Sequence, residues 1–419
     1  MKDILILGAG VTGLSMGQLL NGKSNVTILE KEGQIGGIAK TRQVNGVTYH
    51  TVGGHCFNSK YEDVMSFVFN LLPQKEWHKV KRFSSINLGE YEVDYPIEYS
   101  VHQIYKHDPD LAFAITRDFL SSYDDGSYSN LEEWFRKKFG DRLCELYFLP
   151  YNTKIWGRNP NLMSHEWVQD KLPIPDKKSF FSSLMQPCTD SMPHSQFYYP
   201  GSNNQMSLIE ALANGINIIC NEPVSRIGKR GGRWLVNGKY EADLIISTLP
   251  LNLLPSYIEG TPQYVLEKAK LLKYNKVSNI LWESAPTHKT WSYQPLPDSI
   301  FHRYIHIGNF FNPVKNYTIT ECVGEKSYDE MVKCGKRDSF LIRPLDYNVS
   351  DHAYVVFDEN CDKAVGAILD YLYGVDIISI GRFGQWEYFN MDVCMKQSLD
   401  TYITVSYTHL RAHETSAHL

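Results

Sequence analysis

The clearest chemical signal in the chain is a glycine-rich turn near its start. Gly8, Gly10 and Gly13 have G-x-G-x-x-G spacing, and Glu30 follows 22 residues after Gly8. In such a turn the first glycine makes a tight bend, and the second lets backbone amides approach a pyrophosphate. The third lets the next helix pack closely on the strand. An acid about 20 residues further on accepts hydrogen bonds from a ribose hydroxyl. The spacing therefore predicts a dinucleotide site.

The elements around this turn have the order that such a site requires. Residues 2–7 (KDILIL) form a short apolar run, residues 14–20 follow a helical apolar pattern, and residues 26–29 (VTIL) indicate a second strand that ends at Glu30. Strand, glycine turn, helix, strand and acid form the opening unit of a parallel, doubly wound sheet. A glycine turn without a ligand would not need all of these features.

Composition limits the classes of protein to consider. The chain has 419 residues, 43% hydrophobic and 21% charged, with a net charge of −5. These values are typical of a globular protein with more than one structural lobe and give no electrostatic reason to expect nucleic acid as a partner. No apolar stretch is long enough to predict a transmembrane helix. The start lacks a secretory signal, and the eight cysteines include no C-x-x-C pair, which favours a cytoplasmic protein with free thiols.

Further motifs, taken together, resemble the flavin amine oxidase superfamily, in particular protoporphyrinogen oxidase-like proteins and UDP-galactopyranose mutases. The Gly36-Gly37 pair after the ribose acid resembles the second fingerprint of FAD enzymes in this superfamily. Five later segments resemble family motifs in family order: 53–57 (GGHCF), 150–157 (PYNTKIWG), 198–201 (YYPG) with the helix after it, 243–251 (DLIISTLPL) and 381–392 (GRFGQWEYFNMD). The resemblance runs from residue 4 to about 395.

The resemblance implies FAD as the cofactor and assigns residues to it. The expected cofactor-binding residues are Gly8, Gly10, Thr12, Gly13, Glu30, Lys31, Gly37, Ile38, His55, Val224, Arg382, Met391, Asp392 and Val393. Arg382 and His55 are the expected catalytic residues, because a fixed charge near the flavin can stabilise an anionic reduced ring. The family usually has arginine after the second glycine pair. This chain has Ile38, with Lys40 two residues later.

The resemblance also implies a small-molecule substrate, and a nucleotide sugar is one candidate. Tyr151, Trp156, Arg303 and Tyr388 match positions that line the sugar-nucleotide pocket of the mutases, where arginine and tyrosine can bind phosphate oxygens. We expect Arg303 to bind an anionic group, with an ion pair to a carboxylate such as Glu321 as the alternative. The chain also departs from the mutases, with Asn390 in place of their acid and DKLPIP at 170–175 in place of KRLPVR.

Two enzyme classes remain open, beside the alternative of a non-enzymatic flavin-binding scaffold. The first is an FAD-dependent oxidoreductase in which hydride passes between the substrate and flavin N5. This broader class is favoured because the segment 170–175 lacks an arginine that the mutases have there. The second is a sugar-nucleotide isomerase that resembles UDP-galactopyranose mutase and uses reduced FAD without net redox change. Hydrogen peroxide production would indicate the first class, and activity only after reduction would indicate the second.

The predicted fold class is α/β, with a doubly wound, Rossmann-like FAD domain, an inserted helical region and a substrate-binding antiparallel sheet. We predict the FAD domain from 1–95, 200–255 and 375–404, the helical and connecting region at 96–199, and the substrate sheet at 256–374. Residues 405–419 resemble a non-native tail, which would leave the last FAD-domain helix missing or replaced. His409 and His413 lie there, and we assign them no metal.

Local patterns predict several finer details. Ser129 and Glu132 have the spacing of a capping box that opens a helix. The proline- and aromatic-rich stretch from 150 to 200 is typical of long ordered connections. Val224 is expected to open a strand at 224–228, and the resemblance implies that its backbone would contact the adenine.

Overall fold

The structure is a computed structural model that describes residues 1–168, 171–186 and 195–406. Its strands are β1 Asp3–Leu7, β2 Asn25–Leu29, β3 Thr41–Val44, β4 Val47–His50, β5 Trp77–Lys81, β6 Ser84–Asn87, β7 Glu92–Asp94, β8 Gln196–Pro200, β9 Asn217–Ile219, β10 Ile227–Arg230, β11 Arg233–Val236, β12 Tyr240–Ala242, β13 Leu244–Ser247, β14 Lys273–Ser284, β15 Trp291–Tyr293, β16 Arg303–Ile305, β17 Tyr317–Val323, β18 Leu341–Val356 and β19 Ile377–Ser379.

The helices are α1 Val11–Leu20, α2 Glu62–Leu71, α3 Val101–Ile104, α4 Pro109–Ser121, α5 Leu131–Phe139, α6 Asp141–Leu143, α7 Leu149–Trp156, α8 Lys177–Met185, α9 Met206–Ala213, α10 Leu254–Tyr257, α11 Gln263–Leu271, α12 Tyr328–Gly335, α13 Cys361–Gly374 and α14 Met391–Val405. In the part of the chain that the structure describes, no helix is both long and apolar enough to cross a membrane.

The glycine turn belongs to a five-stranded parallel sheet with the order β19-β13-β1-β2-β9. Ile6 of β1 lies between Ile28 of β2 and Ile246 of β13, and all three side chains are buried. Strands covered by helices on both faces need apolar residues at consecutive positions, which is why β1 is an apolar run. The predicted doubly wound sheet is confirmed.

A second, seven-stranded sheet has the order β18-β14-β17-β16-β15-β6-β7. Its neighbours are antiparallel except for the parallel pair β15 and β6. The 16-residue β18 pairs with β14 along nearly its whole length, with register shifts that bend both strands. The predicted antiparallel sheet is therefore present.

Helices α3 to α8 pack around an aromatic core that is continuous with the core of the antiparallel sheet. Phe139 stacks on Phe148, with ring centroids 4.1 Å apart, and Trp134 and Phe135 are fully buried beside them. The start of α5 differs from the predicted capping box by one residue. Asn130, not Ser129, is the N-cap, and its side chain accepts a hydrogen bond from the backbone of Glu133.

Two further local predictions were wrong. The stretch from 150 to 200 is not all connection, because it contains α7, α8 and β8. Proline at the second position of α7 does not break that helix, which directly continues a π-helical turn at Cys144–Phe148. Val224 does not open a strand. It lies in the loop before β10, which begins at Ile227.

The last helix, which we expected to be missing or replaced, is present in the described residues. Helix α14 runs to Val405 and packs on α1, where the Ser398 hydroxyl donates to the Thr12 carbonyl at 3.1 Å. Residues 407–419, with His409 and His413, lie outside the described ranges, as does Asp170.

Candidate functional site

The glycine turn has the close packing that its sequence predicts. Gly8 has φ +99°, a conformation that favours glycine, and a Cβ on Gly13 would lie 2.0 Å from the Gly8 carbonyl oxygen. Gly10 is the N-cap of α1, and in the described part of the chain no side chain caps that helix start. The first N–H groups of α1 are therefore available to an anion.

Glu30 is buried at the end of β2 and holds the turn. Its carboxylate accepts a hydrogen bond from Ala9 N at 2.8 Å and one from Glu32 N at 3.0 Å. Burial raises the pKa of Glu30, against the lowering effect of the Ala9 hydrogen bond. The neighbouring Lys31 is exposed. The carboxylate that we expect to bind a ribose is thus fixed in position by backbone amides.

The second glycine pair meets the first turn backbone to backbone. Gly36 donates its N–H to Ala9 O at 2.8 Å, and a Cβ on Gly37 would lie 3.1 Å from the Gly10 Cα. Ile38 follows in a short 3-10 helix. Lys40 forms an ion pair with Glu32. The two glycine segments therefore lie in direct backbone contact, and the candidate cation beside them, Lys40, already has a carboxylate partner.

The last motif brings α14 to the same region. Thr12 is so close to Gly381 that a Cβ on that glycine would lie 2.4 Å from the Thr12 Oγ1. Met391, Asp392 and Val393 form the first turn of α14. Its N-cap, Asn390, makes no side-chain capping bond to any described residue. A second uncapped helix start, that of α14, therefore lies near the two glycine segments.

His55 and Arg382, the expected catalytic residues, lie close together. Burial, with a further contribution from Arg382, lowers the pKa of His55 to about 4, so the ring is neutral at pH 7. Arg382 donates to the carbonyls of Phe389 and Ala353 at 3.0 and 2.9 Å. Within the described ranges, His55 Nε2 and Arg382 Nε are buried without a hydrogen-bond partner. Orphaned buried nitrogens are costly, so both atoms fit contacts to a bound group.

Val224 is further from this chemistry. It lies two residues after Glu222, whose N–H donates to the Glu30 carbonyl at 2.9 Å. The loop that carries Val224 thus borders the ribose acid.

The expected substrate residues converge on one aromatic cluster. Trp156 lies with its ring centroid 6.0 Å from that of Tyr388, and the Arg382 guanidinium lies 4.6 Å from the Tyr388 ring. Tyr354 stacks on Tyr388 at 6.0 Å. Tyr151 is linked to the cluster on the other side, where its ring lies 6.5 Å from that of His302. Three of the four expected residues therefore lie close to an arginine. Trp156 and Tyr388 lie on the side of Arg382, and Tyr151 lies beside His302, the neighbour of Arg303 in the chain.

Arg303, the fourth, is already paired. Its Nε donates to Glu321 Oε1 at 2.8 Å, and its Nη2 contacts the same oxygen and donates to the Tyr354 hydroxyl at 2.7 Å. The ion pair with Glu321 that we considered as the alternative is present. Burial raises the pKa of Tyr354 well above its usual range, so this hydroxyl remains a neutral hydrogen-bonding group.

The sequence did not identify two important residues of the cluster. Tyr354 lies on β18, a strand whose mixed sequence gave no pattern that could have singled it out. Arg82, before β6, donates to the Tyr293 hydroxyl at 2.7 Å, and its guanidinium lies 4.9 Å from the Trp291 ring. Only the order of strands in the antiparallel sheet brings these residues to the aromatic cluster.

Comparison with known proteins defines the class first. Residues 6–71 match the model of the NAD(P)-binding Rossmann-like domain. The fold and the glycine site thus define a protein with a Rossmann-like dinucleotide domain, joined to a large antiparallel sheet.

The particular relatives are sugar-nucleotide mutases. The chain is 25% identical over 190 residues to UDP-galactopyranose mutase of Mycoplasma genitalium, and the match covers 43% of this chain and 46% of the relative. It is 26% identical over 180 residues to dTDP-fucopyranose mutase of Escherichia coli, covering 42% and 46%. These matches span less than half the length of the curated relatives.

Solved structures extend the likeness over nearly the whole chain. A crystal structure of reduced UDP-galactopyranose mutase superposes with a TM-score of 0.84 and 20% identity, covering 97% of this chain and 94% of that one. A protoporphyrinogen oxidase-like protein from Exiguobacterium sp. 255-15 superposes with a TM-score of 0.76 and 14% identity, covering 97% of this chain and 99% of that one. The chain has the fold of these proteins, and the predicted resemblance is confirmed.

Proposed function

We propose that the chain binds FAD along the two glycine segments. The uncapped starts of α1 and α14, the fixed Glu30 carboxylate and the glycine approach of Gly10 to Gly37 support this proposal. Glu30 would hold the ribose, and the first turn of α1 would hold the pyrophosphate. The orphaned nitrogens of His55 and Arg382 would face the flavin.

We further propose that the protein is a sugar-nucleotide isomerase of the UDP-galactopyranose mutase type. The observation that carries this proposal is the convergence of two guanidinium groups on neighbouring tyrosines. Arg303 donates to the Tyr354 hydroxyl at 2.7 Å, and Tyr354 stacks on Tyr388, whose ring lies 4.6 Å from the Arg382 guanidinium. The Tyr151 ring lies nearby, 6.5 Å from that of His302. Half-buried cations and phenol hydroxyls suit a diphosphate, which needs charge-assisted and ordinary hydrogen bonds together. When bound in its reduced form, FAD supplies a nucleophilic ring nitrogen for the anomeric carbon, without net oxidation of the sugar.

The chain's own residues would bind and orient the substrate. Arg303 and the tyrosine hydroxyls would hold phosphate oxygens, while Trp156 and Tyr388 exclude water from the reacting carbon. His55 is neutral at pH 7, so its Nε2 is a hydrogen-bond acceptor when Nδ1 carries the proton. Arg382, held by two backbone carbonyls, would keep a fixed positive charge near the ring.

FAD-dependent hydride transfer, the broader interpretation of the sequence, is the second candidate. The same flavin site would serve it, and the likeness to the protoporphyrinogen oxidase-like fold favours it at a lower TM-score. In this candidate, the site would hold a substrate C–H bond against oxidised flavin, which would take up hydride while the adjacent C–N or C–C bond becomes a double bond and a proton leaves.

One experiment separates the two functions. FAD-loaded protein is incubated with UDP-galactopyranose before and after anaerobic dithionite reduction, and sugar nucleotides are separated by chromatography. We expect a ring-contracted product only after reduction. Oxidised protein is tested in parallel with amines and porphyrinogens for hydrogen peroxide. Peroxide formation without sugar-nucleotide conversion would support hydride transfer and overturn the mutase proposal.

A further inference from the structure

The Glu321 carboxylate makes hydrogen bonds in two directions. It is fully buried on β17, directly opposite Arg303 in the register of β16 and β17. One oxygen, Oε1, accepts from the Arg303 guanidinium, and the other, Oε2, accepts from Gly53 N at 2.7 Å. Burial alone would raise the pKa of Glu321, but Arg303 and His302 outweigh it and hold that pKa well below the usual range. The group is therefore a carboxylate whenever the protein is folded near neutral pH.

The ion pair determines which atom of Arg303 a ligand can reach. Nε and Nη2 are engaged by Glu321, and Nη2 also by the Tyr354 hydroxyl. Among hydrogen bonds between described residues, Nη1 takes part in none, and the side chain is 16% exposed. An anion can therefore contact Arg303 through Nη1 alone, not through the two-nitrogen edge that usually holds a phosphate.

The second carboxylate oxygen of Glu321, Oε2, contacts the loop that carries His55. Gly53 has φ +62°, and a Cβ there would lie 3.3 Å from Arg303 Nη2. The glycine thus lets the loop backbone lie directly against the guanidinium. His55 follows two residues later, and its N–H donates to His50 Nδ1 at 3.3 Å. The loop is fixed at one end by Glu321 and at the other by His50.

We propose that Glu321 is a positioning residue that couples the substrate subsite to the cofactor site. It holds Arg303 side-on, so that Nη1 faces the ligand, and with the same carboxylate it holds the Gly53 amide of the His55 loop. A ligand anion that moves Arg303 would therefore also move Glu321 and change its hydrogen bond to the Gly53 amide of that loop. The inference rests on the proposed function, because it takes FAD and a nucleotide diphosphate as the two ligands.

The test is the change Glu321→Gln, because glutamine has one acceptor oxygen and one donor group in place of two acceptors. It can accept from Arg303 or from Gly53, but at the other contact its NH₂ faces a donor. The apparent FAD dissociation constant is measured by fluorescence, with and without saturating UDP. We expect UDP to change FAD affinity about fivefold or more in the parent protein, in the usual range of coupling between sites, and less than twofold in the variant.

The matched control is Glu283→Gln, on the neighbouring β14. Its carboxylate pairs with Arg343 at 2.9 Å at an exposed position, so the same chemical change should leave the UDP effect at its parental size. Tyr354→Phe is the milder variant if Glu321→Gln does not fold. It removes the hydroxyl between Arg303 and Glu321 and should reduce the UDP effect without abolishing FAD binding.

The outcomes separate this inference from the proposed function. FAD affinity without UDP should fall about tenfold in Glu321→Gln and stay unchanged in Glu283→Gln, whether or not UDP binds. If UDP does not bind the parent protein, the nucleotide-sugar proposal fails, and this fall alone decides the role of Glu321. Unchanged FAD affinity in Glu321→Gln, or a UDP effect equal to that of the parent, would overturn the inference. A lower melting temperature with neither effect would mean a purely structural ion pair.

Discussion

A Cβ added to Gly13 would lie 2.0 Å from the carbonyl oxygen of Gly8, far inside any contact distance. The first turn of α1 therefore lies on the end of β1 with no room for a side chain. Position 13 therefore accepts only glycine unless the backbone of the turn moves.

The change Gly13→Ala should accordingly lower the free energy of unfolding by about 1–3 kcal/mol, as overpacking does in tightly packed cores, and abolish FAD binding. Denaturant unfolding and flavin retention on a desalting column measure the two effects. Gly366→Ala is the control. It lies within α13, where an added Cβ meets none of the described atoms within 4 Å, and it should stabilise the helix by about 0.5–1 kcal/mol. Flavin retention in Gly13→Ala would contradict the predicted cofactor site.

Glu30→Ala should weaken FAD binding about 10- to 100-fold, because charge-assisted hydrogen bonds contribute about 1.5–3 kcal/mol each. NADH binding, measured by fluorescence in the same way, should change far less. Glu210→Ala, an exposed acid on α9, should change neither. A loss that is equal for both nucleotides, or greater for NADH, would reverse the choice of cofactor.

Arg303→Met should destabilise the protein by about 3–5 kcal/mol, because Glu321 would remain as a buried carboxylate without its cation. The double change Arg303→Met with Glu321→Leu removes both charges and should recover most of that stability in chemical denaturation. Bound flavin should be retained in Arg303→Met, whereas the double variant, which lacks the Glu321 contact to Gly53 N, should bind FAD more weakly. Binding of UDP-galactopyranose should be weaker by about 2–5 kcal/mol in the single and double variants alike. Full affinity in the double variant would show that Arg303 has only a structural role.

Acid should destabilise the fold through its buried histidines. Burial lowers the pKa of His306 from 6.5 to about 3, and its ring nitrogens lie 3.0 Å from the hydroxyls of Ser292 and Thr318. The unfolded chain binds a proton below about pH 6.5 and the folded chain does not, so stability falls as pH drops from 6.5 towards 3. One such group contributes at most about 1.4 kcal/mol per pH unit.

Replacing His306 by glutamine, which can still bond both hydroxyls, should make the free energy of unfolding less dependent on pH between 6.5 and 3. The change in slope should correspond to the uptake of up to one proton fewer on unfolding. Urea unfolding at pH 7, 6, 5 and 4 measures it. An identical slope in the variant would mean that His306 does not titrate in this range.

Local sequence patterns predicted the dinucleotide half of the molecule well. The turn of Gly8, Gly10 and Gly13, the strands on either side and Glu30 are contiguous, and each conformation follows from backbone freedom and apolar spacing over a few residues. Motif order carried the resemblance further along the chain. Val224 was placed in a strand because its neighbours suit one, yet pairing begins only at Ile227, where β11 provides a partner.

The arrangement of charged and aromatic residues around Arg303 depends on tertiary structure. Arg303 and Glu321 are 18 residues apart and meet because β16 and β17 pair in one particular register. Tyr354 joins them from β18, two strands away from β17, with only β14 between them in the sheet. A register shift of one residue would turn every one of these side chains to the opposite face of the sheet. The chain alone thus determined that a dinucleotide turn forms, because that depends on neighbouring residues. Which charges meet at the candidate substrate site depends on pairing between distant strands, and only the folded sheet decides it.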